Sequence, residues 1–525
     1  MNRRENSGIF TAPDGKSYLI TFALVSSLFL LWGFCNGMID VMDKHFQKEL
    51  HLTLAQSAWV QFAHYLGYFL MAMPAGWLAN RLGYKGGIIA GLLMVAVGGF
   101  WFIPATKIAT FPAFLLGVCV IASGLTFLET VANPYSTVLG PKRYAATRIN
   151  LAQSCNGIGW IFGPIAGAQF FYGQDAMGKS TGSQTLWIPY AAVGGFVLVL
   201  AIIFSFCKMP DIVAEDEPNL DAEGQSLSPA PVNRSIALSL IWLNVAILSL
   251  AVGMILSAIV AIPSVGQALG LTESQALFYS AGALLVMGSA VLALRKHRVT
   301  HQSFWGRPHF SGATLTQFFY VAAQCGIFAY FINYMTSQIP AVPDAWRVGA
   351  WASWFEIHGN GLLGLSDKGA STLASIGFGL FLAGRFMGAA LLKKFPAHRV
   401  LATFAMMAAA CSLIVCCKLG WASVVALFLS YFFMSIMFPT IFALGIHGLG
   451  DQAKKASSFI VMAIMGGAIM PKLMGHIADT HRDGMSAGFV VPFVCFIWVA
   501  AYACFWSKLS GTAGIAGATR GNSHG

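Results

Sequence analysis

One carboxylate, Glu129, stands inside a run of residues that carries no other charge. The run extends from Ile108 to Gly140, which is long enough to cross a membrane as a helix. An ionised side chain at the centre of a membrane helix costs roughly 2.5–3.5 kcal/mol on insertion scales. No basic residue of this segment or the next is placed to pair with Glu129 inside the membrane. A carboxyl group kept at that cost indicates a functional site.

Other polar residues recur at helical spacing in the apolar segments. They are Asn36 with Asp40, Glu129 with Asn133, Asn150 with Gln153 and Asn156, and Gln317 with Tyr320 and Gln324. Residues three or four apart share one face of a helix. Unpartnered amides are costly in hydrocarbon, so these faces are expected to meet in a protein interior or a wet cavity. A single Asn or Gln more often ties two helices together, and Asp40 could instead touch water near its helix end.

Aromatic residues in the same segments indicate what such a cavity would hold. Trp32, Phe328 and Tyr330 could line it together with the amides and carboxylates. Amides donate and accept hydrogen bonds, as hydroxyl groups require, and rings pack against the apolar CH faces of a sugar. The pattern therefore favours a polyhydroxylated ligand. Ordinary packing is the alternative for each ring, and a drug exporter, with fewer amides, is the alternative for the whole cavity.

Basic side chains inside apolar segments raise a separate question. Arg385 and Lys472 could each pair with a membrane carboxylate or anchor a helix; we favour an anchor for Arg385 and leave Lys472 open. His64 and His476 could relay protons, although a membrane histidine is more often simply hydrogen-bonded.

The composition indicates an integral membrane protein. Of the 525 residues, 57% are hydrophobic and only 10% are charged, too few to cover a soluble surface. The net charge of +11 is spread over short loops at alternate ends of the apolar segments, which is a topology signal and not a nucleic-acid patch. This distribution of basic residues predicts that both termini lie in the cytoplasm. The ten cysteines show no paired spacing, so neither a disulfide framework nor a metal site is expected.

The apolar segments predict an all-α fold with fourteen spans, arranged as six, two and six. They are 18–43, 55–81, 86–105, 110–139, 147–173 and 187–208, an extra hairpin at 236–262 and 274–294, and then 309–336, 370–394, 399–417, 421–448, 455–478 and 487–507. The predicted domains are a first half at 1–210, an acidic linker with the hairpin at 211–307, a second half at 308–508 and a flexible tail at 509–525.

The two six-helix halves resemble each other. Gly67 and Gly76 precede a basic loop in the first half, and Gly379 and Gly388 repeat their spacing 312 residues later. Parallel six-helix repeats are typical of transporters whose binding site lies at the membrane midplane, between the repeats.

Several long blocks resemble the fucose permease branch of the major facilitator superfamily. They are "SLFLLWGFCNGMIDVM", "GYFLMAMPAGWLANRLGYKGGII", "LETVANPYSTVLGP", "RINLAQSCNGIG", "FMSIMFPTIFALGI" and "SSFIVMAIMGGAIMPKLMG". The resemblance implies a major facilitator fold and import of a monosaccharide such as L-fucose together with a proton, by alternating access across the inner membrane.

The resemblance also implies roles for particular residues. Glu129 corresponds to a position of proton coupling and Asp40 to one that links protonation to sugar binding. Further residues fall on family positions around the sugar: Gln153 and Asn156 as contacts, and Trp32 and Phe328 as rings. The full set of expected sugar-binding residues adds those from the polar and aromatic patterns, namely Asn36, Asn133, Gln324 and Tyr330.

Other functions stay open at this stage. Sodium-coupled uptake of glucose or galactose could use the same carboxylates, and a membrane sugar sensor could bind without transporting. An enzyme is not expected, because no paired nucleophile and base, metal-binding motif or phosphate-cradling loop is present in the sequence. No cofactor is expected. The expected partners are the sugar, the proton and the lipid bilayer, and the chain is expected to be monomeric.

Overall fold

The protein is described by a computed structural model in which helices dominate. The described residues are 10–11, 17–57, 59–140, 145–171, 185–207, 209, 234–260, 263–347, 349–358, 361–392, 395–447, 449, 453–481 and 484–511. The acidic linker at 211–231 and most of the expected tail lie outside them. Strands in this part of the chain are confined to β1 (Phe355–Ile357) and β2 (Leu363–Leu365), which pair antiparallel.

The described residues of the first half form six helices, and glycine allows a break within the longest of them. The helices are α1 (Leu19–Glu49), α2 (Leu54–Ser57), α3 (Trp59–Ile108), α4 (Phe111–Val138), α5 (Ala145–Phe171) and α6 (Trp187–Phe206). The long α3 covers two predicted spans, which meet at Gly83 with a φ of 69°. That left-handed conformation favours glycine, so the chain can turn there without a loop. α1 extends six residues beyond its predicted end.

The extra hairpin is present as two long helices and two short ones. They are α7 (Arg234–Val260), α8 (Pro263–Leu269), α9 (Glu273–Leu294) and α10 (Lys296–Gln302). Thr272 and Gln275 form a capping box that fixes the start of α9. The Trp242 indole donates a hydrogen bond across the hairpin to the Ser289 hydroxyl at 3.0 Å. The hairpin is therefore a packed unit, which also contacts α11 through α7.

In the second half, two of the predicted spans, 421–448 and 455–478, are each divided into two helices. Its helices are α11 (Pro308–Ser337), α12 (Asp367–Leu392), α13 (Ala397–Cys416), α14 (Trp421–Met434), α15 (Met437–Ile446), α16 (Ala453–Met462), α17 (Gly466–Thr480), α18 (Met485–Gly488) and α19 (Val490–Leu509). Short 3-10 turns are Phe304–Gly306, Asp344–Trp346, Gly349–Trp354 and Ala463–Met465. Pro439 has no N–H to donate to the Ser435 carbonyl, which explains the break between α14 and α15.

Within the described residues, twelve helices are long and apolar enough to cross a membrane. Both long helices of the hairpin are among the twelve, whereas α5 and the first part of α3 are not. The count of fourteen spans therefore stays a prediction.

Close packing of α1 on α5 brings polar residues to the centre of the first half. A Cβ atom added to Gly33 would lie 2.0 Å from the Asn156 carbonyl oxygen, and one added to Gly163 would lie 2.7 Å from the Phe34 carbonyl oxygen. Only glycine allows such contact between helix backbones. Across the halves, α5 packs along α12, and α17 packs on α2 and α3.

Candidate functional site

A narrow central cavity lies where helices of both halves meet. Its lining residues are Asn36 and Ile39 of α1, Gln61, His64 and Tyr65 of α3, Trp160 of α5, and Cys325 and Phe328 of α11. The space between them has room for about one water molecule. The structure thus holds the cavity nearly closed, with polar side chains on α1 and α3 and aromatic rings on α5 and α11.

Glu129 reaches the neighbourhood of this cavity through Tyr68. The Glu129 side chain is buried, and its Oε2 atom has no hydrogen-bond partner among the described residues. Its carboxyl group is close enough to the buried Tyr68 hydroxyl for an electrostatic interaction. The same hydroxyl accepts a hydrogen bond from the Trp32 indole and interacts with the Asn36 amide. Tyr68 therefore links the membrane carboxylate to a residue that lines the cavity.

Other buried polar atoms near the middle of the helices also have no hydrogen-bond partner within the described part of the chain. They are Asn36 Oδ1, His64 Nδ1, Asn156 Nδ2 and both amide atoms of Gln317. Each such atom costs about 1–3 kcal/mol in a folded protein. Side chains kept in this condition are suited to a bound polar ligand or to water.

The predicted sugar-binding residues occupy several different environments. Asn36 and Phe328 line the central cavity. Trp32 is not a lining residue, and its indole donates a hydrogen bond to the Tyr68 hydroxyl. Asn156 is buried on α5, next to α1. Gln153 is half-buried, and its backbone carbonyl accepts a hydrogen bond from the second half. Gln324 is half-buried on α11 and is not a lining residue.

One predicted ring, Tyr330, joins helices instead of lining the cavity. The Tyr330 hydroxyl donates to the carbonyl oxygens of Leu54 at 2.9 Å and Pro471 at 3.0 Å, so this ring joins α11 to the start of α2 and to α17. A buried phenol satisfied by two backbone carbonyls is suited to fastening helices. The side chains of Asp40 and Asn133 lie outside the described residues.

Sequence reasoning missed several residues of the site. Gln61 and Tyr65 line the cavity, and Tyr68 continues the same face of α3. Trp160 faces the cavity from α5 and lies 5.3 Å from Phe328, centroid to centroid. Gln61 and His64 have the three-residue spacing that singled out other polar pairs, so the signal was present. Tyr65, Tyr68 and Trp160 gave no signal of their own, because aromatic rings are frequent in the apolar segments of this chain.

Beside the cavity, at the end of α1, polar side chains join the two halves. We call these residues the polar belt: Gln47, Lys48, Leu54 and Ser57 from the first half, and Asn333, Asp367 and Asp479 from the second half. Lys48 Nζ lies 2.6 Å from Asp367 Oδ2. Asn333 Nδ2 donates to Gln47 Oε1 at 2.6 Å, and the Leu54 N–H donates to Asp479 Oδ1 at 3.2 Å. The belt closes the gap between the halves at this end.

Arg385 anchors the backbone where the halves meet. Its Nη1 donates to the Gln153 carbonyl at 3.0 Å, and its Nε lies 3.4 Å from the Ser435 carbonyl, which Pro439 leaves without a helical donor. The side chain also stacks over the ring of Phe381. These contacts agree with the anchoring role favoured from the sequence.

Lys472 connects the extra hairpin to the rest of the molecule. Its Nζ lies 3.1 Å from Glu273 Oε1, at the start of α9, and 3.7 Å from the centre of the Trp59 ring on α3. Nearby, Ala251 and Met254 of α7 pack in one hydrophobic cluster with Phe62 and other residues of both halves. Lys472 therefore pairs with a hairpin carboxylate instead of Glu129.

These features define the class of protein, and comparisons with known proteins agree. Residues 17–323 match the Major Facilitator Superfamily, and the chain belongs to this family. It is 31% identical over 513 residues to the L-fucose-proton symporter of Escherichia coli strain K12, covering 95% of each chain. A glucose/galactose transporter of Brucella abortus biovar 1, strain 9-941, is 28% identical over 94% of this chain and 95% of its own.

A solved structure shows the same architecture. FucP, a major facilitator superfamily transporter in the outward conformation, is 31% identical to this chain, with a TM-score of 0.58 over 94% of this chain and 100% of FucP. The fold is therefore the major facilitator fold, and the chain is an integral membrane protein.

Proposed function

We propose that this chain is a proton-coupled sugar symporter that imports a monosaccharide such as L-fucose. The observation that carries the proposal is Glu129, a buried carboxylate with an oxygen that lacks a hydrogen-bond partner within the described residues, joined to the cavity through Tyr68. The named activity of the relative from Escherichia coli supports the same function.

Proton coupling follows from the surroundings of Glu129. Burial in a medium of low dielectric makes a charged carboxylate costly, whereas protonation removes the charge. A neutral Glu129 can also donate a hydrogen bond, for example to the Tyr68 hydroxyl, and so influence the Trp32 and Asn36 side chains that share it. Asp40 is assigned the second coupling role, by the family resemblance alone.

Sugar binding is assigned to the centre of the molecule. Asn36 and Phe328 line the cavity, while Trp32, Asn133, Gln153, Asn156 and Gln324 are assigned to its surroundings when the halves move apart. The place of Tyr330 in a helix contact makes it the weakest member of the expected set. A single charge moved through 100 mV provides about 2.3 kcal/mol, enough for roughly 50-fold accumulation of sugar.

Alternating access requires the halves, assigned to 1–210 and 308–508, to separate at one end at a time. We assign the polar belt to the outer end, because α1 would run outward from a cytoplasmic N-terminus. The belt would then be the closed outer gate. In this proposal the protein is a monomer of the cell inner membrane with both termini in the cytoplasm.

The test is uptake by purified protein in proteoliposomes with Glu129→Gln. The wild-type protein should concentrate labelled L-fucose when a proton gradient is imposed, and acidifying the outside should increase accumulation. Glu129→Gln should lose accumulation and its pH dependence but still exchange sugar across the membrane in counterflow, because a neutral amide mimics the protonated carboxyl group. Glu356→Gln, which removes an exposed carboxylate of β1, is the matched control and should accumulate normally.

Accumulation by Glu129→Gln at the wild-type level would refute its coupling role. Uptake that persists with a protonophore but requires sodium would favour sodium coupling. A protein that binds sugar but shows neither uptake nor counterflow would favour a sensor. Glucose or galactose is the second candidate substrate, because the relative from Brucella abortus is named for these sugars.

A further inference from the structure

Two polar residues of α3 form one wall of the central cavity. Gln61 and His64 are three positions apart on the same helix face and are 3% and 2% exposed. The His64 ring packs against the rings of Tyr65, at 4.9 Å, and Tyr68, at 5.1 Å. These rings hold the imidazole in place, yet its Nδ1 atom has no hydrogen-bond partner within the described residues.

Other residues that line the cavity have a different chemistry. The rings of Trp160 and Phe328 belong to the lining, and Phe328 is itself supported by the ring of Tyr431 at 4.8 Å. Asn36 of α1 also lines the cavity, and its Oδ1 atom likewise lacks a described partner. The lining can therefore form hydrogen bonds and also pack against an apolar surface. A pyranose ring has the same two aspects, since hydroxyl groups project from its rim and CH groups form its faces.

The unpartnered His64 Nδ1 and Asn36 Oδ1 atoms distinguish this lining from ordinary helix packing. Most buried polar side chains in folded proteins are hydrogen-bonded. Neither the His64 Nδ1 atom nor the Asn36 Oδ1 atom has a partner within the described residues, and both residues line the cavity, so a polar group that enters it could satisfy the two atoms. A neutral imidazole offers one donor and one acceptor, as a hydroxyl group does, so it can pair with a hydroxyl in either direction.

We propose that Gln61 and His64 form a hydroxyl-recognition wall, and that His64 helps to determine which sugar the protein accepts. The inference rests on the proposed function and adds two residues of α3 to the expected sugar-binding set. His64 selects by hydrogen bonding to one particular hydroxyl. A sugar without that hydroxyl would leave the imidazole without a partner and bind more weakly.

The experiment measures binding of a sugar panel to purified full-length protein by calorimetry. The panel contains L-fucose, D-galactose and D-glucose, with the monodeoxy analogues of whichever sugar binds most tightly. The proteins are wild type, His64→Leu, His64→Asn, which keeps polar atoms close to the position of Nδ1, and Gln61→Leu. The matched control is His309→Leu, because His309 is also buried but its Nε2 lies 2.9 Å from the His447 carbonyl, outside the cavity.

His64→Leu should weaken binding of the parent sugar about 10-fold or more and leave binding of one monodeoxy analogue nearly unchanged. His64→Asn should recover part of the loss. His309→Leu should leave the ratios of the binding affinities for the different sugars as in wild type, even if it lowers stability. If His64→Leu does not fold, the Asn variant and Gln61→Leu must still change those ratios.

Two results would overturn the inference in distinguishable ways. If wild type binds sugar but the variants at 61 and 64 weaken all analogues by one common factor, or change nothing, the wall is structural and only this inference fails. If wild-type protein binds no sugar of the panel and accumulates none, the proposed function fails as well.

Discussion

The polar belt and the central cavity contain similar side chains that differ in their contacts between the halves. In the belt, Lys48 is paired with Asp367, and Asn333 Nδ2 donates to Gln47 Oε1, although Asn333 Oδ1 has no hydrogen-bond partner among the described residues. In the cavity, the Asn36 oxygen and the His64 Nδ1 have no described partner. Satisfied polar groups stabilise the arrangement in which they meet, whereas unsatisfied ones lower stability and can pair with water or a ligand. The hydrogen bonds of the belt therefore favour closure, and the proposed sugar site uses the unpartnered atoms of the cavity.

The largest effect is expected from Asn156→Leu, near the cavity. Leucine is similar in size and removes an amide whose nitrogen has no described partner. Sugar affinity should fall about 10-fold or more, while the temperature of unfolding should stay the same or rise. Binding calorimetry measures the sugar affinity, and thermal unfolding measures the stability.

The control for that substitution is Asn244→Leu. The Asn244 amide donates to the carbonyls of Leu240 and Ser311 in the hairpin contact, so its loss should lower stability and spare sugar binding. If both variants lose stability and affinity together, the contrast between satisfied and unsatisfied amides does not hold.

The next effect is expected in the belt, from Asn333→Leu. Both partners of this hydrogen bond are buried, so a single substitution leaves Gln47 Oε1 without its donor and should weaken closure by about 1–2 kcal/mol. Adding Gln47→Leu should recover most of that loss, since two apolar side chains can pack against each other. The measurement is the rate at which a membrane-impermeant thiol reagent labels Cys325, which lines the cavity, in a variant without the other cysteines.

Faster labelling reports opening of the belt. Equal labelling of the single and double variants would show that this hydrogen bond has no part in closure.

A smaller effect is expected for the ion pair between Lys48 and Asp367. Lys48 is 53% exposed, so solvent screens the pair and its loss should cost about 1 kcal/mol or less. Lys48→Met should therefore raise the labelling rate of Cys325 no more than about 5-fold. Exchanging the two charges, with Lys48→Asp and Asp367→Lys, should slow labelling again. If the labelling rate stays high in the protein with exchanged charges, Lys48 and Asp367 do not form a direct ion pair.

The smallest effect is expected for Lys472→Met. The pair of Lys472 with Glu273 is partly exposed, so its contribution should be about 0.5 kcal/mol, measured by a double-mutant cycle with Glu273→Gln in thermal unfolding. Lys508→Met is the matched control, because Lys508 contacts the Phe505 ring at 5.7 Å but has no described carboxylate partner. If the coupling free energy between Lys472 and Glu273 is no larger than that between Lys508 and Glu273, the ion pair does not stabilise the contact of the hairpin with the rest of the protein.

The sequence by itself determined the membrane setting, the family and the presence of Glu129 in an apolar helix. Length and hydropathy are local properties, and a charge in a long uncharged segment is visible without a structure. Spacing also predicted which residues share a helix face, as for Asn36 with Asp40, and the same rule could have paired Gln61 with His64.

Only the tertiary structure decided what each face meets. Tyr330 appeared suited to a sugar and instead fastens α11 to backbone carbonyls, and Lys472 pairs with Glu273, a residue 199 positions away. The physical reason is that a helix fixes the relative positions of its own side chains, but its rotation and neighbours depend on packing with distant segments. The close contact of α1 with α5 at Gly33 is one example, because it fixes the distance between two helices that line the cavity.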